Sequence, residues 1–373
     1  MKVVLTGGGT GGHVYPALAL AEAFAQEPAF APLAVTFVGT RAGLEATIVP
    51  AAGGVIRFVR AAPLARKLGL SFVGTLVTNV AGFVDALGVL HATRPDVLVA
   101  TGGYVSLPVV AALRTVRALG RSRARIAVLE PNAVAGLANR LLAPLVDEVW
   151  YGTAPRGRPL RARELLVGTP VRASMRRPLA PQAARASLGL APDRITIVVM
   201  GGSQGAHSLN DAVAGLVEAG VPPEWQVLVL AGARDFEALH ARLRARLSVK
   251  VRAYLDDPRA AYAAADVVVA RAGASTLGEL AATGTPALLV PYPFATDDHQ
   301  THNARAFAAG GAARIVPDRD LDAARLRYEL DVMLAPELRS AMRAAAGAAA
   351  QSDPAATIVA RVKTWPVSNP RTP

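Results

Sequence analysis

Three glycine-rich runs stand out for the chemistry they permit: Gly7-Gly8-Gly9-Thr10-Gly11-Gly12, Thr101-Gly102-Gly103-Tyr104-Val105-Ser106 and Gly201-Gly202-Ser203-Gln204-Gly205. Each follows an apolar, strand-like run. Such loops leave backbone N–H groups and the positive end of a following helix uncovered by Cβ, so they suit bound anions or polar hydroxyls. His13 comes directly after the first loop, where an imidazole titrating near neutrality can serve as a general base. A helix-start histidine bonded to backbone is the plainer alternative. Gly7, Gly9 and Gly12 also meet the G-x-G-x-x-G dinucleotide spacing, but the next strand-like run ends Val38-Gly39-Thr40, without the acid that would hold a ribose diol. Glycines serving only a tight turn are a further reading, which the second matching loop weakens.

Two acidic positions extend the set. Glu279, in Thr276-Leu277-Gly278-Glu279, fits either a capping box or a carboxylate that accepts from a ribose diol. Asp297-Asp298-His299-Gln300, followed by Asn303, is a dense polar cluster at a loop-to-helix junction. A metal site is not expected there, because two acids and one histidine adjacent in sequence rarely share one geometry. Contacts to sugar hydroxyls are the preferred reading.

These residues must be positioned by the elements around them. Strand-like runs at Lys2–Thr6, Ala34–Val38, Asp96–Ala100, Ile126–Leu129 and Glu148–Tyr151 alternate with Ala/Leu-rich helical stretches, which implies parallel βαβ units. The rhythm repeats at Ile195–Met200, Gln226–Leu230, Val249–Tyr254, Asp266–Ala270 and Ala287–Val290. The two halves also open alike, Val3–Leu18 and Ile197–Ala212 each running from an apolar strand through a glycine turn into a helix. The expected fold is α/β: two Rossmann-like, doubly wound parallel-sheet domains facing across a cleft, with one anion-type loop from each. Proline in Gly168-Thr169-Pro170-Val171 places the hinge there, giving domains 1–168 and 169–352. Ser352-Asp353-Pro354 starts a helix to about Trp365, and the segment 353–373 is expected to join the first domain.

Composition narrows the classes. With 373 residues and a 52% apolar fraction the chain suits two folded cores and excludes disorder. There is no cysteine, hence no disulfide, thiolate metal site or cysteine nucleophile. No export signal is expected at Met1, and the interrupted runs Leu68–Val84 and Val97–Leu113 are expected to fall short of a membrane span. The net charge of +12 is concentrated early: residues 1–168 carry 17 Lys/Arg against 9 Asp/Glu, and residues 169–373 carry 23 against 19. With 5% aromatics and no zinc or RNA-binding pattern, nucleic acid is not an expected partner. An anionic membrane surface is, through Arg57, Arg60, Arg66 and Lys67 beside the apolar Leu68–Val84 run; a solvated charged face over a core helix is the alternative.

Taken together, GGGTGGH at Gly7–His13, TGGYVS at Thr101–Ser106, GGSQGA at Gly201–Ala206 and RAGASTLGEL through DDHQ resemble the MurG family, the murein N-acetylglucosaminyltransferases that make lipid II. The likeness spans nearly the whole chain with motifs in order and spacing. It implies the GT-B architecture and an inverting, β-1,4 transfer of N-acetylglucosamine from UDP to undecaprenyl-diphospho-N-acetylmuramoyl pentapeptide, lipid I. No cofactor is implied, since UDP-N-acetylglucosamine is a substrate. It implies further a peripheral place on the cytoplasmic face of the cell membrane, roles in cell-wall synthesis, cell shape and division, and a cell-wall synthesis complex as a partner.

By motif position the resemblance puts Ser203, Gln204 and Gly205 on the diphosphate, Glu279 on the ribose and Ala274, Ser275 and Thr276 on the nucleotide. It puts His299 and Gln300 on the sugar hydroxyls, and Thr10, Gly11, Gly12, Asn132 and Arg172 on the donor side, with Arg172 offsetting diphosphate charge. Gly102, Gly103, Tyr104, Glu130 and Asn132 fall on the acceptor side, and His13 is the expected base. Where the family has H-E-Q-N this chain has Leu129-Glu130-Pro131-Asn132, and Leu107 stands where glycine is common, so acceptor fit is expected to differ. Another GT-B glycolipid glycosyltransferase using diacylglycerol, a UDP-sugar 2-epimerase of similar fold, and a non-catalytic UDP-sugar-binding protein are the rival readings.

Overall fold

The computed structural model describes residues 1–63, 70–157, 159–160, 162–202, 205–255 and 257–365, with Leu70 and Ser71 as backbone only. The chain divides into two compact units, Met1–Ala173 joined by the segment from Asp353 onward, and Ser174–Ser352. In the first, β1 (Lys2–Gly7), β2 (Ala34–Gly39), β3 (Ile56–Phe58), β4 (Val97–Gly102), β5 (Arg125–Glu130), β6 (Glu148–Tyr151) and β7 (Arg163–Leu166) form one sheet in the order β3-β2-β1-β4-β5-β6-β7. In the second, β8 (Ile195–Met200), β9 (Trp225–Leu230), β10 (Val249–Arg252), β11 (Val267–Ala270), β12 (Ala287–Leu289) and β13 (Ala313–Ile315) lie in the order β10-β9-β8-β11-β12-β13. All pairings are parallel.

Both orders reverse beside the first strand, between β1 and β4 and between β8 and β11. In doubly wound sheets this is where ligands meet the carboxyl ends of the strands. The glycine runs after β1, β4 and β8 all emerge at these reversals.

The helices of the first unit are α1 (Gly11–Ala25), α2 (Glu45–Ala51), α3 (Leu70–Thr93), α4 (Ser106–Ala118) and α5 (Leu137–Leu142). Those of the second are α6 (Pro181–Ser187), α7 (His207–Ala219), α8 (Phe236–Leu243), α9 (Arg259–Ala264), α10 (Ala274–Thr283), α11 (His299–Ala308), α12 (Ala323–Leu334) and α13 (Pro336–Ala350), before α14 (Pro354–Lys363) returns to the first. With helices on both faces, a strand must be apolar at every position, which is why these strands read as continuous hydrophobic runs. Successive residues serve opposite cores: Val3, Leu5, Val97 and Val99 pack with α1 and α14, whereas Val4, Leu98 and Ala100 pack with α3 and α4. In the second unit Ile197, Val199, Val227, Val229, Val267 and Val269 share a core with Leu209, Val213, Leu326 and Leu330 from α7 and α12.

Three findings amend the sequence expectations. The short strands β3, β7 and β13 were not foreseen; β3 and β7 lie at a sheet edge or end and are only partly buried. The break between units falls after Ala173 rather than at Gly168, because Glu22 on α1 accepts from Arg172 Nε at 2.8 Å and from Ala173 N at 3.0 Å. That pair holds the Thr169–Arg172 segment to the first unit. Finally, the Leu68–Val84 run does not stop short: α3 continues to Thr93, and its Phe72–Thr93 stretch is long and apolar enough, by length and composition alone, to cross a membrane.

Gly74, Asn79, Gly82 and Gly88 do not interrupt α3, since packing rather than propensity sustains it. Asn79 Nδ2 donates to Ala62 O at 3.0 Å, and Ala86 and Leu90 enter the core with Val109, Val110 and Leu113 of α4. The opposite stripe, Val73, Leu76, Val77, Val80 and Val84, is more than half exposed at every position.

The α14 helix starts at an N-cap, Asp353, whose side chain accepts from Ala356 N, with Pro354 at the first helical position. Ile358, Val359, Val362 and Trp365 complete the core under α1, and Trp365 stacks on Trp150 with ring centroids 5.6 Å apart. Buried Glu148 accepts from Trp150 Nε1 at 2.8 Å and from Arg361 Nε at 3.0 Å, and this pairing holds its carboxyl below the usual range despite burial. We expect Glu148→Ala, which takes away the acceptor of buried Trp150 Nε1 and the partner of Arg361, to cost roughly 1–3 kcal/mol in urea unfolding. An unchanged unfolding midpoint would mean that α14 is not anchored through this ion pair.

Candidate functional site

In the first unit the site is built around His13. The residue is in the first turn of α1, whose N-cap Thr10 is extended and whose Thr10 O accepts from His13 N at 3.1 Å. The ring lies against the second glycine run, with Nδ1 2.8 Å from Thr101 O at the end of β4. A carbonyl can only accept, so Nδ1 carries the proton and Nε2 keeps its lone pair. The close approach explains the glycines: a Cβ on Gly102 would stand 2.8 Å from ring atoms, and one on Gly103 would stand 2.4 Å from Gly8 O. Both also have positive φ, 100° and 84°. Gly102 and Gly103 thus seat the imidazole, while the Tyr104 ring lies over Gly9. Gly11 and Gly12 form the first turn of α1, where helix amides have no partner within the helix.

Two buried carboxylates act on this imidazole. Glu130, at the end of β5, accepts at Oε1 from Asn132 N (2.9 Å) and Nδ2 (3.0 Å), and at Oε2 from Gly136 N (2.9 Å) and Asn139 Nδ2 (2.8 Å). Both oxygens are saturated by the chain's own donors, so Glu130 presents Asn132 rather than itself. Glu45, the first residue of α2, accepts from Gly9 N (3.0 Å), Thr40 N (2.8 Å) and Thr40 Oγ1 (2.9 Å). A Cβ at Gly8 would stand 2.3 Å from its Oε1. Burial pulls the His13 pKa below its usual value, while Glu130, the Thr101 carbonyl and Glu45 oppose the shift. The net direction is down, which leaves the ring neutral and able to accept a proton at neutral pH.

In the second unit Gly205, with φ 80°, closes the third loop by donating its N–H to Gly202 O at 2.9 Å, ahead of Ala206, the N-cap of α7. Ser203 and Gln204 lie outside the described residues. Beside this loop, α10 opens with Gly273 as N-cap, so Ala274, Ser275 and Thr276 form its first turn and offer free amides. The capping-box reading of Thr276 and Glu279 therefore fails, because the helix has begun before Thr276. Glu279 instead accepts from Tyr262 OH at 2.6 Å. Ser275 Oγ, one turn earlier on the same face, is enclosed without a partner among the described residues.

Gln300 and His299 start α11. Gln300 Oε1 accepts from Ala272 N (3.2 Å) and Tyr292 N (2.9 Å), which joins the loops after β11 and β12 and leaves Nε2 as a donor. His299 Nδ1 turns back to Thr296 O at 2.8 Å. Arg271, which the sequence analysis did not single out, ties the same region together: Nη1 donates to Asp318 Oδ1 (2.5 Å) and Val290 O (3.1 Å), and Nη2 to Ser208 Oγ (2.9 Å). Arg172 belongs to the first unit, its charge already paired with Glu22. Glu45, Asn139 and Tyr262 were also missed. A strand-end acid facing a glycine loop was sought at Thr40, and it arrives five residues later, from α2. Among the described residues no group of three His, Cys, Asp or Glu is placed to hold a metal ion.

Comparison with known proteins supplies the context. Residues 3–151 match the glycosyltransferase family 28 N-terminal domain, and residues 196–359 its C-terminal domain. A protein of Acidithiobacillus ferrooxidans named UDP-N-acetylglucosamine--N-acetylmuramyl-(pentapeptide) pyrophosphoryl-undecaprenol N-acetylglucosamine transferase is 40% identical over 364 residues, 96% of each chain. The crystal structure of Acinetobacter baumannii MurG is similar with a TM-score of 0.73 at 26% identity, covering 97% of this chain and 99% of that one. A putative UDP-N-acetylglucosamine 2-epimerase from Listeria monocytogenes, TM-score 0.65 at 14% identity, shares the fold alone.

The opposed effects on His13 are separable by NMR titration of its imidazole. The midpoint should lie below the ordinary histidine value of 6.5. Glu130→Gln should lower it further, and Glu45→Gln should do so by less, since each removes a charge that favours the imidazolium. A rise in either variant would show that these carboxylates do not act on the ring.

Proposed function

The chain belongs to glycosyltransferase family 28, with the UDP-N-acetylglucosamine--N-acetylmuramyl-(pentapeptide) pyrophosphoryl-undecaprenol N-acetylglucosamine transferases, and on that premise we propose the reaction it performs. It transfers N-acetylglucosamine from UDP to the 4-hydroxyl of the N-acetylmuramoyl residue of lipid I, with inversion, yielding lipid II and UDP. The observation that carries this from family to mechanism is the His13 ring, fixed as the Nδ1–H tautomer against Thr101 O.

In this reading Nε2 accepts the proton of the attacking hydroxyl while the new C1–O bond forms and the bond to UDP breaks, through an oxocarbenium-like state. The imidazolium so formed keeps its bond to Thr101 O and is favoured by Glu130 and Glu45. The departing electron pair stays on the diphosphate of UDP. Its charge is met by the glycine loop through Gly205 and by the N-terminal turns of α7 and α10, where helix amides converge. We assign Ser203 and Gln204 to the same diphosphate by motif alone, Glu279 and the first turn of α10 to the ribose and nucleotide, and Gln300 Nε2 with His299 to the sugar. Arg172 has no part in this scheme while Glu22 holds it. Asn132, presented by Glu130, faces the acceptor in this assignment.

The same proposal places the protein peripherally on the anionic cytoplasmic face of the membrane. The exposed stripe of α3 is the apolar half of the docking surface, and an amphipathic helix lying in the interface needs no span. Arg57 is exposed, whereas Arg60 is bound to Asp85 on α3, with Nη2 to Oδ1 at 2.7 Å, and adds less free charge than its type suggests. Arg66 and Lys67 lie outside the described residues.

Incubating purified protein with UDP-N-acetylglucosamine and lipid I, with diacylglycerol as competing acceptor, should give lipid II and UDP; glycosylated diacylglycerol alone would overturn the acceptor assignment. His13→Gln should lower kcat by about 10²–10⁴-fold with donor affinity little changed, and a fully active variant would remove His13 as the base. In flotation, the protein should rise with vesicles rich in anionic lipid, and Val77→Asp with Val80→Asp should abolish this. Equal flotation of that variant would exclude α3 as the docking face.

A further inference from the structure

Tyr262 sits in α9, almost wholly enclosed, and its hydroxyl is the one side-chain group that meets the Glu279 carboxylate among the described residues. The phenol donates at 2.6 Å; burial raises the Glu279 pKa, and this bond opposes the rise. Burial raises the phenol pKa well above its usual 10, and the neighbouring carboxylate adds to this, so Tyr262 stays a donor at every working pH. A glutamate side chain on a helix turns about several single bonds, and a fixed donor at one carboxylate oxygen settles where the other points. Here the phenol takes Oε2, and among the described residues no side chain donates to Oε1. Ser275 Oγ lies one helical turn before Glu279 and is enclosed without a partner among the described residues. One enclosed, unmet hydroxyl and one carboxylate oxygen left open by Tyr262, four residues apart on α10, suit a ligand with vicinal hydroxyls.

We propose that Tyr262 is a positioning residue which aims the Glu279 carboxylate at the ribose diol of the sugar nucleotide; this rests on the donor-site reading above. It touches no reacting atom. Its effect is confined to how firmly the nucleotide is held and to whether the ribose hydroxyls are recognised.

The test compares UDP-N-acetylglucosamine with its 2′-deoxyribose counterpart in the full-length protein, for wild type, Tyr262→Phe, Glu279→Gln and the double variant. Wild type should penalise the deoxy donor about tenfold in KM, the worth of one charge-assisted hydrogen bond. Glu279→Gln should shrink that penalty to about twofold, and Tyr262→Phe should do the same while kcat stays within about twofold, because only ground-state binding of the nucleotide is touched. In the double variant donor KM should be no worse than in Glu279→Gln alone, as expected of residues acting through one contact. The double variant also lacks the stranded carboxylate, so it serves even if Tyr262→Phe does not fold.

If Glu279→Gln removes the discrimination and Tyr262→Phe preserves it, the role given to Tyr262 is wrong and the donor site stands. A further loss of donor KM in the double variant overturns the role too. If Glu279→Gln leaves the discrimination intact, the ribose assignment itself falls, and the positioning role falls with it.

Discussion

A carboxylate removed from water must be met by donors, and the first unit is organised by that demand at two places on either side of one imidazole. Glu45 draws in the amides of Gly9 and Thr40, and Glu130 draws in those of Asn132 and Gly136 with the amide group of Asn139. Each satisfies its charge by fixing the backbone of a loop. The loops so fixed hold His13 between them, and their residual negative potential partly offsets the cost of protonating a buried ring. Loop shape and basicity thus have one origin. A change that moved either carboxylate would disturb both, although neither group need touch a substrate.

The second unit uses neutral and cationic side chains for the same purpose. Gln300 spans two backbone amides with one oxygen, and Arg271 gathers a carboxylate, a carbonyl and a serine hydroxyl from three separate segments. Here the diphosphate arrives with the ligand, and the loop and helix ends set for it offer amides rather than carboxylates. The two glycine loops look alike as sequence, GGGTGG and GGSQGA, yet at least one amide of the first is already occupied by Glu45.

The frame of the molecule was legible because it rests on local signals. Strands covered on both faces are apolar throughout, glycine loops follow them, and helices follow the loops, so both sheets and the position of His13 could be read directly. What escaped depends on contacts between distant segments. The strands β3 and β7 are short and half-exposed, with Arg57 and Arg163 among their residues, and resemble loops when read alone. Glu45 and Tyr262 carry no motif; their importance comes from what folding brings beside them. Thr276 and Glu279 misled as a cap because the spacing also fits a helix interior once Gly273 has started the helix. The α3 run misled in the opposite way, its glycines and asparagine reading as interruptions, although Gly82 lies against Arg60 O and Asn79 is bonded to Ala62 O.

The route of the chain through the two units has an effect on how the protein is made. Ser174–Ser352 is continuous in sequence and has every strand of its sheet once that stretch has left the ribosome. The earlier-born unit has its strands by Leu166 but not its full core: one side of its sheet waits for Ile358, Val359, Val362 and Trp365, which are synthesised after the whole of the other unit. Until then Val3, Leu5, Val97 and Trp150 lack the cover that α14 gives them. The half that begins first is therefore the half that finishes last.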